Sequence, residues 1–91
     1  MSNADNKVLA TAMSMVTKNR SKTHGTPEDN FNHTAALWSA YLGSPVTAHD
    51  VCQMMVLAKI SRSKVGKSDY ADHYVDQCGY SSLAARMVKA K

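Results

Sequence analysis

The sequence predicts an all-α protein, a small bundle of about four helices with short loops. Three observations carry that expectation. Apolar residues recur at helical spacing in four segments, the breaks between them hold caps, glycines and prolines, and no stretch alternates with the period of two that a strand requires. Ninety-one residues give room for one domain, residues 1–91, with one core.

The first helix is expected from about Ala4 to Lys18, within an N-terminal segment 1–19. Val8, Leu9, Ala12, Met13 and Val16 form its apolar stripe. The segment Asn19–Gly25 then turns polar and basic, with Arg20, Lys22 and His24. The second helix has the clearest start in the chain. Thr26 can cap, Pro27 suits the first helical position, and Glu28 and Asp29 complement the positive end of the dipole. Phe31, Ala35, Trp38 and Leu42 lie on one stripe with Tyr41 beside it. Gly43 supplies a left-handed stop and Pro45 prevents continuation.

Thr47 followed by Asp50 reads as the cap of a third helix, with Asp standing where a capping box more often has Glu. Val51, Met54, Met55 and Ala58 make its stripe, and Leu57 and Ile60 widen it, so this helix is expected to be the central one. It ends in the basic, glycine-containing stretch Arg62–Lys67. Ser68 or Asp69 is then expected to cap a fourth helix reaching about Lys89 and carrying Val75, Cys78, Leu83 and Met87.

A chain this short buries only about 60–65% of the surface its unfolded form exposes. Its core must therefore rest on a few large side chains: Trp38, Phe31, Leu42, Tyr41, the Met54–Leu57 stretch, Ile60, Leu83 and Met87. Oligomerisation is a common remedy for so small a core, which keeps a homo-oligomer open. The formal charge of +4 is spread along the chain, which favours solubility and mild attraction to phosphates but makes no nucleic-acid-binding arm. Cys52 and Cys78 sit in apolar helical patterns and read as free, small hydrophobes; without CxxC spacing they make no zinc site. No run has the length of a membrane span and the N-terminus lacks a signal-peptide core, so a cytoplasmic location and no membrane partner are expected.

Four constellations could carry chemistry. Asp69, Asp72 and Asp76, at i, i+3 and i+7, would place three carboxylates along one face of the fourth helix with His73 adjacent. A Mg²⁺ ion could relieve their repulsion, making Asp72 and Asp76 the candidate ligands, whereas first-turn dipole compensation and ion pairs to Lys59 or Arg62 are the structural explanation. Lys59 and Arg62 share a face at the end of the third helix, and an antiparallel neighbour would bring them to Asp72 and Asp76. Interhelical ion pairs are the favoured reading, a phosphate site the sharper one. His24 and Gly25 precede a helix start whose amides can meet an anion; Glu28 and Asp29 favour capping there, and His24 stands as a ligand-binding candidate. Tyr70 and Tyr74, four apart, offer a stacking surface, and Tyr80 is a further ligand-contact candidate. Gly79 lowers helix propensity, which suggests close approach of another helix. His33 and His49 belong to no metal-ligand spacing. Walker, GxSxG, HExxH and GxGxxG motifs are absent, which argues against an enzyme.

The order HG–x₄–NF, LWSAYLG, V–T–x₂–DV–x₂–MM–x–L–x–KI–x–R and D–x₂–VD–x₂–GY–x₂–LA resembles a small all-helical bacteriophage and prophage domain family of unknown function. The resemblance covers about His24 to Ala85. It implies a phage-type accessory protein in the host-cell cytoplasm and no established chemistry. The K–x₂–R and D–x₃–D segments also look loosely like all-α nucleotide pyrophosphohydrolases, which hold magnesium with an ExxE pair and a second acidic pair. Only the second pair has a counterpart here, Asp72 and Asp76. The expected function is a non-catalytic binding module for a nucleotide or other phosphate-bearing ligand, through Lys59, Arg62, Asp72, Asp76, His24 and Tyr80. The alternatives are an interaction module that modulates a host protein and a Mg²⁺-dependent nucleotide hydrolase.

Overall fold

The computed structural model describes residues 3–17 and 26–88. Among these residues the chain is four helices and no strand: α1 (Asn3–Thr17), α2 (Pro27–Leu42), α3 (Ala48–Val65) and α4 (Ala71–Met87). The all-α expectation holds. His24 and Gly25 lie outside the described residues, as do Lys18 and Lys89 at the expected helix ends.

Local chemistry sets most of the boundaries. Thr26 caps α2, its Oγ1 accepting from the Asp29 N–H at 3.1 Å, and Pro27 stands where a missing N–H is harmless. Gly43 ends α2 at φ 69°, a conformation that side chains with a Cβ resist. The Gly43 and Ser44 N–H groups both donate to the Ser39 carbonyl. The Ser39 hydroxyl then fastens the following loop, accepting from the Val46 N–H at 2.8 Å while donating to the Ala35 carbonyl at 2.7 Å. At α3 the capping box is complete. Asp50 N–H donates to Thr47 Oγ1 at 3.1 Å, and Thr47 N–H donates to Asp50 Oδ2 at 2.9 Å.

The start of α4 differs from the expectation. Ser68 and Asp69 lie in the turn, and the capping position falls on Tyr70, which makes no side-chain cap bond. The reason is local: the turn is tied by its own backbone, with Gly66 N–H donating to the Arg62 carbonyl and Tyr70 N–H to that of Lys67. Asp69 therefore leaves the helical stripe, and only Asp72 and Asp76 remain one turn apart on α4.

Packing also redistributes the core. The main helix contacts run α1 on α4, α4 on α3 and α3 on α2, so α4 shares the central place that the sequence assigned to α3 alone. The buried apolar residues are small or medium: Ala12, Ala35, Val51, Cys52, Val75, Leu83 and Ala84. Cys52, Leu83 and Ala84 form a cluster against which Val16, Phe31 and Met87 pack. Tyr41, expected inside, is 91% exposed, and Leu42, Met54, Leu57 and Ile60 are exposed as well. Trp38 is half-buried. The cause is that α1 packs against α4 rather than over α2 and α3, so among the described residues the outer sides of those two helices are uncovered. Gly79 marks the α1–α4 approach, as its spacing suggested: a Cβ built there would meet Val16 Cγ1 at 3.7 Å.

Candidate functional site

Two regions stand out, one polar and one apolar. The polar region lies where the second half of α3 passes the first half of α4. Lys59 Nζ sits 2.7 Å from Asp76 Oδ2, with both side chains 15% exposed. Charges this sheltered attract more strongly than a surface pair, and each would be expensive to leave alone. Arg62 and Asp72, the other two members of the expected group, are exposed, and no ion pair joins them to it among the described residues. The interhelical pair expected from the sequence is thus present. It engages Lys59, the ammonium that a phosphate would need.

No group of three or more His, Cys, Asp or Glu side chains among the described residues is placed to hold a metal ion. His73 lies between Tyr70 and Tyr74, meeting both rings edge-on at centroid distances of 5.3 and 6.4 Å. The Tyr74 hydroxyl donates to the Ser68 carbonyl. These contacts anchor the turn before α4, and they leave Tyr70 and Tyr74 edge-on to a neighbour rather than stacked as a pair. Tyr80 is half-buried and meets Phe31 edge-on at 6.2 Å, so its ring joins α4 to α2.

The apolar region is an open groove of about 400 Å³ lined by Trp38, Tyr41, Leu42 and Met54. Leu37 and Leu57 are also exposed beside it in sequence register. Leu37 with Tyr41 and Trp38 with Leu42 are i, i+4 pairs on α2, while Met54 and Leu57 are i, i+3 on α3, so each helix presents a continuous ridge. Between Asn30 and Ala58 Asp50 is the only Asp, Glu, Lys or Arg, with His33 and His49 the other titratable side chains besides Tyr41 and Cys52, and its carboxylate caps α3. The Thr47 backbone N–H and hydroxyl hold that carboxyl below its ordinary value. The sequence reading missed this region because helical periodicity marks an apolar stripe without saying whether anything covers it. The near absence of charge between Asn30 and Ala58 was the signal available.

Cys52 is fully buried and burial pushes its thiol up, whereas Cys78 is half-buried; neither forms a disulfide. No helix among the described residues is long and apolar enough to cross a membrane.

Residues 7–88 match the family described as Domain of unknown function (DUF6378). The chain belongs to that family. It is 34% identical over 80 residues to the Gene 55 protein of Mycobacterium phage D29, a match covering 88% of this chain and 52% of the phage protein. The Gene 55 protein of Mycobacterium phage L5 is 33% identical over 81 residues, covering 88% of this chain and 51% of its own. The DUF6378 chain therefore spans about half the length of these phage relatives. No solved structure matches it.

Proposed function

We propose that this chain is a non-catalytic phage-type accessory module that works by protein contact, through the apolar face of α2 and α3. The observation that supports this reading is the groove lined by Trp38, Tyr41, Leu42 and Met54, set in a stretch almost free of charge. Exposed apolar surface that is continuous, rather than scattered, is characteristic of contact surfaces. Large aromatic side chains such as Trp38 and Tyr41 are the residue types that anchor them.

A phosphate-bearing ligand at Lys59, Arg62, Asp72 and Asp76 is the second reading. A nucleotide there would have to draw Lys59 away from a carboxylate 2.7 Å distant, which ranks this reading below the first. Hydrolysis assisted by Mg²⁺ at Asp72 and Asp76 ranks lower still, because Asp76 already has its counter-ion.

The test places a photo-reactive side chain at position 41 in one variant and at position 69, in the turn before α4, in another. Irradiation in host cells should give protein adducts from position 41 and few from position 69. Absence of adducts at 41, together with a nucleotide-dependent rise in melting temperature, would transfer the function to the polar region.

A further inference from the structure

We infer that the α2–α3 face is the interface of a two-fold dimer, its occupant a second copy of this chain. This rests on the reading that the face is a contact surface, and it names the partner.

Three observations favour self-association. The first is area. The chain exposes 6615 Å² at a mass of 9.9 kDa, about 1,400 Å² more than the roughly 5,200 Å² usual for a compact monomer of that mass. A specific dimer typically covers about 800 Å² on each partner, so the excess is more than enough for one such interface. The Cα radius of gyration agrees: 14.2 Å against the about 12 Å expected for this length.

The second is charge. The chain carries a formal +4, so two copies repel at most approaches. Leu37, Trp38, Tyr41, Leu42, Met54 and Leu57 carry no charge, and the one formally charged side chain between Asn30 and Ala58, Asp50, is engaged by Thr47. Two such faces meet without placing like charges together. An acidic partner would instead be drawn to the Arg62–Lys67 end of α3, where Arg62, Lys64 and Lys67 are exposed.

The third is shape. Ridges at i, i+4 on α2 and i, i+3 on α3 flank an open groove, so the Tyr41 ring, 91% exposed, is free to enter the groove of a second copy. A two-fold operation applies the same insertion in both directions, closing the assembly at two chains. Burial of paired Trp38 and Tyr41 side chains would then enlarge a core whose buried members among the described residues are no larger than leucine.

Multi-angle light scattering on the whole chain should return about twice 9.9 kDa, and the melting temperature should rise with protein concentration. Tyr41→Glu would set two carboxylates near the two-fold axis and should yield a folded monomer by circular dichroism and scattering. Leu57→Glu, at a side chain 64% exposed in the single chain, repeats the test should Tyr41→Glu fold poorly. Ser81→Glu, adding the same charge on α4, should leave the dimer intact. A single-chain mass at all concentrations overturns the inference, as does a dimer indifferent to both Tyr41→Glu and Leu57→Glu. The photo-reactive variant separates the two proposals: self-adducts at position 41 support both, adducts only with another protein sink the dimer and keep the contact surface, and no adducts sink both.

Discussion

Two faces of α3 place their side chains against expectation in opposite directions. On the face toward α4 Lys59, a residue type that usually reaches into water, is 15% exposed and held by Asp76. On the outer face Leu57 and Met54, which usually leave water, remain exposed, while Cys52, about half a turn round the helix from both, is fully buried. The difference follows from what each face meets. Where α3 passes α4 the helices are close, and a charge there survives by finding its opposite on the neighbour. Where α3 faces outward with α2, no helix among the described residues crosses over it, and the apolar groups have each other for company. A residue's burial is a property of the packing around its helix face, and its chemistry sets only what must accompany it.

The largest effect expected from breaking this contrast is at the core. Leu83→Ala should cost about 3 kcal/mol in urea denaturation, through lost transfer energy and a cavity beside Cys52. Leu57→Ala in dilute solution should stay within about 0.5 kcal/mol; equal losses at the two sites would mean that the outer face is covered within one chain. Next is the polar pair. Asp76→Ala leaves Lys59 sheltered and unpaired, with an expected loss of about 2 kcal/mol. The double change Lys59→Met with Asp76→Leu should recover most of it, and a double-mutant cycle measures the coupling. If Asp76→Ala is neutral, Lys59 simply turns to water.

A smaller loss is expected at the helix start. Thr47→Ala removes the cap of α3 and should cost about 1 kcal/mol. The same box makes stability depend on acid. Asp50 has its carboxyl held below the ordinary range by Thr47, so its contribution is complete above that range and is lost as pH falls through the lowered folded value. Thermal melts from neutral to acidic pH should therefore fall less steeply in Thr47→Ala than in the wild type. The smallest effect is a gain. Gly79→Ala should add roughly 0.5–1 kcal/mol, because α4 gains helix propensity while the new Cβ meets Val16 Cγ1 at an ordinary 3.7 Å. A loss there would show that α1 needs the glycine in order to sit on α4.

Legibility followed the range of the interaction. Thr26, Pro27, Gly43 and the Thr47–Asp50 box were readable because each acts on backbone groups within a few residues of itself. The start of α4 was misread because Ser68 and Asp69 both suit a cap, and a turn fastened at Gly66 and Tyr70 passed over them. The Lys59–Asp76 pair was readable as one of several pairings that an antiparallel neighbour permits. The apolar groove was not, since Tyr41 and Leu42 carry the same pattern whether or not a helix lies over them.

The sequence by itself determined that this chain is all helix, where α2 and α3 begin, where α2 stops, and which residue types each helix face carries. Those outcomes depend on propensity, capping and periodicity, which are properties of neighbouring residues along the chain. Tertiary structure alone decided that α1 packs on α4, that Asp76 is the partner Lys59 takes, and that Trp38, Tyr41, Leu42 and Met54 line an open groove. Those depend on which helix lies across which, and helices with similar apolar stripes can satisfy their burial in more than one arrangement.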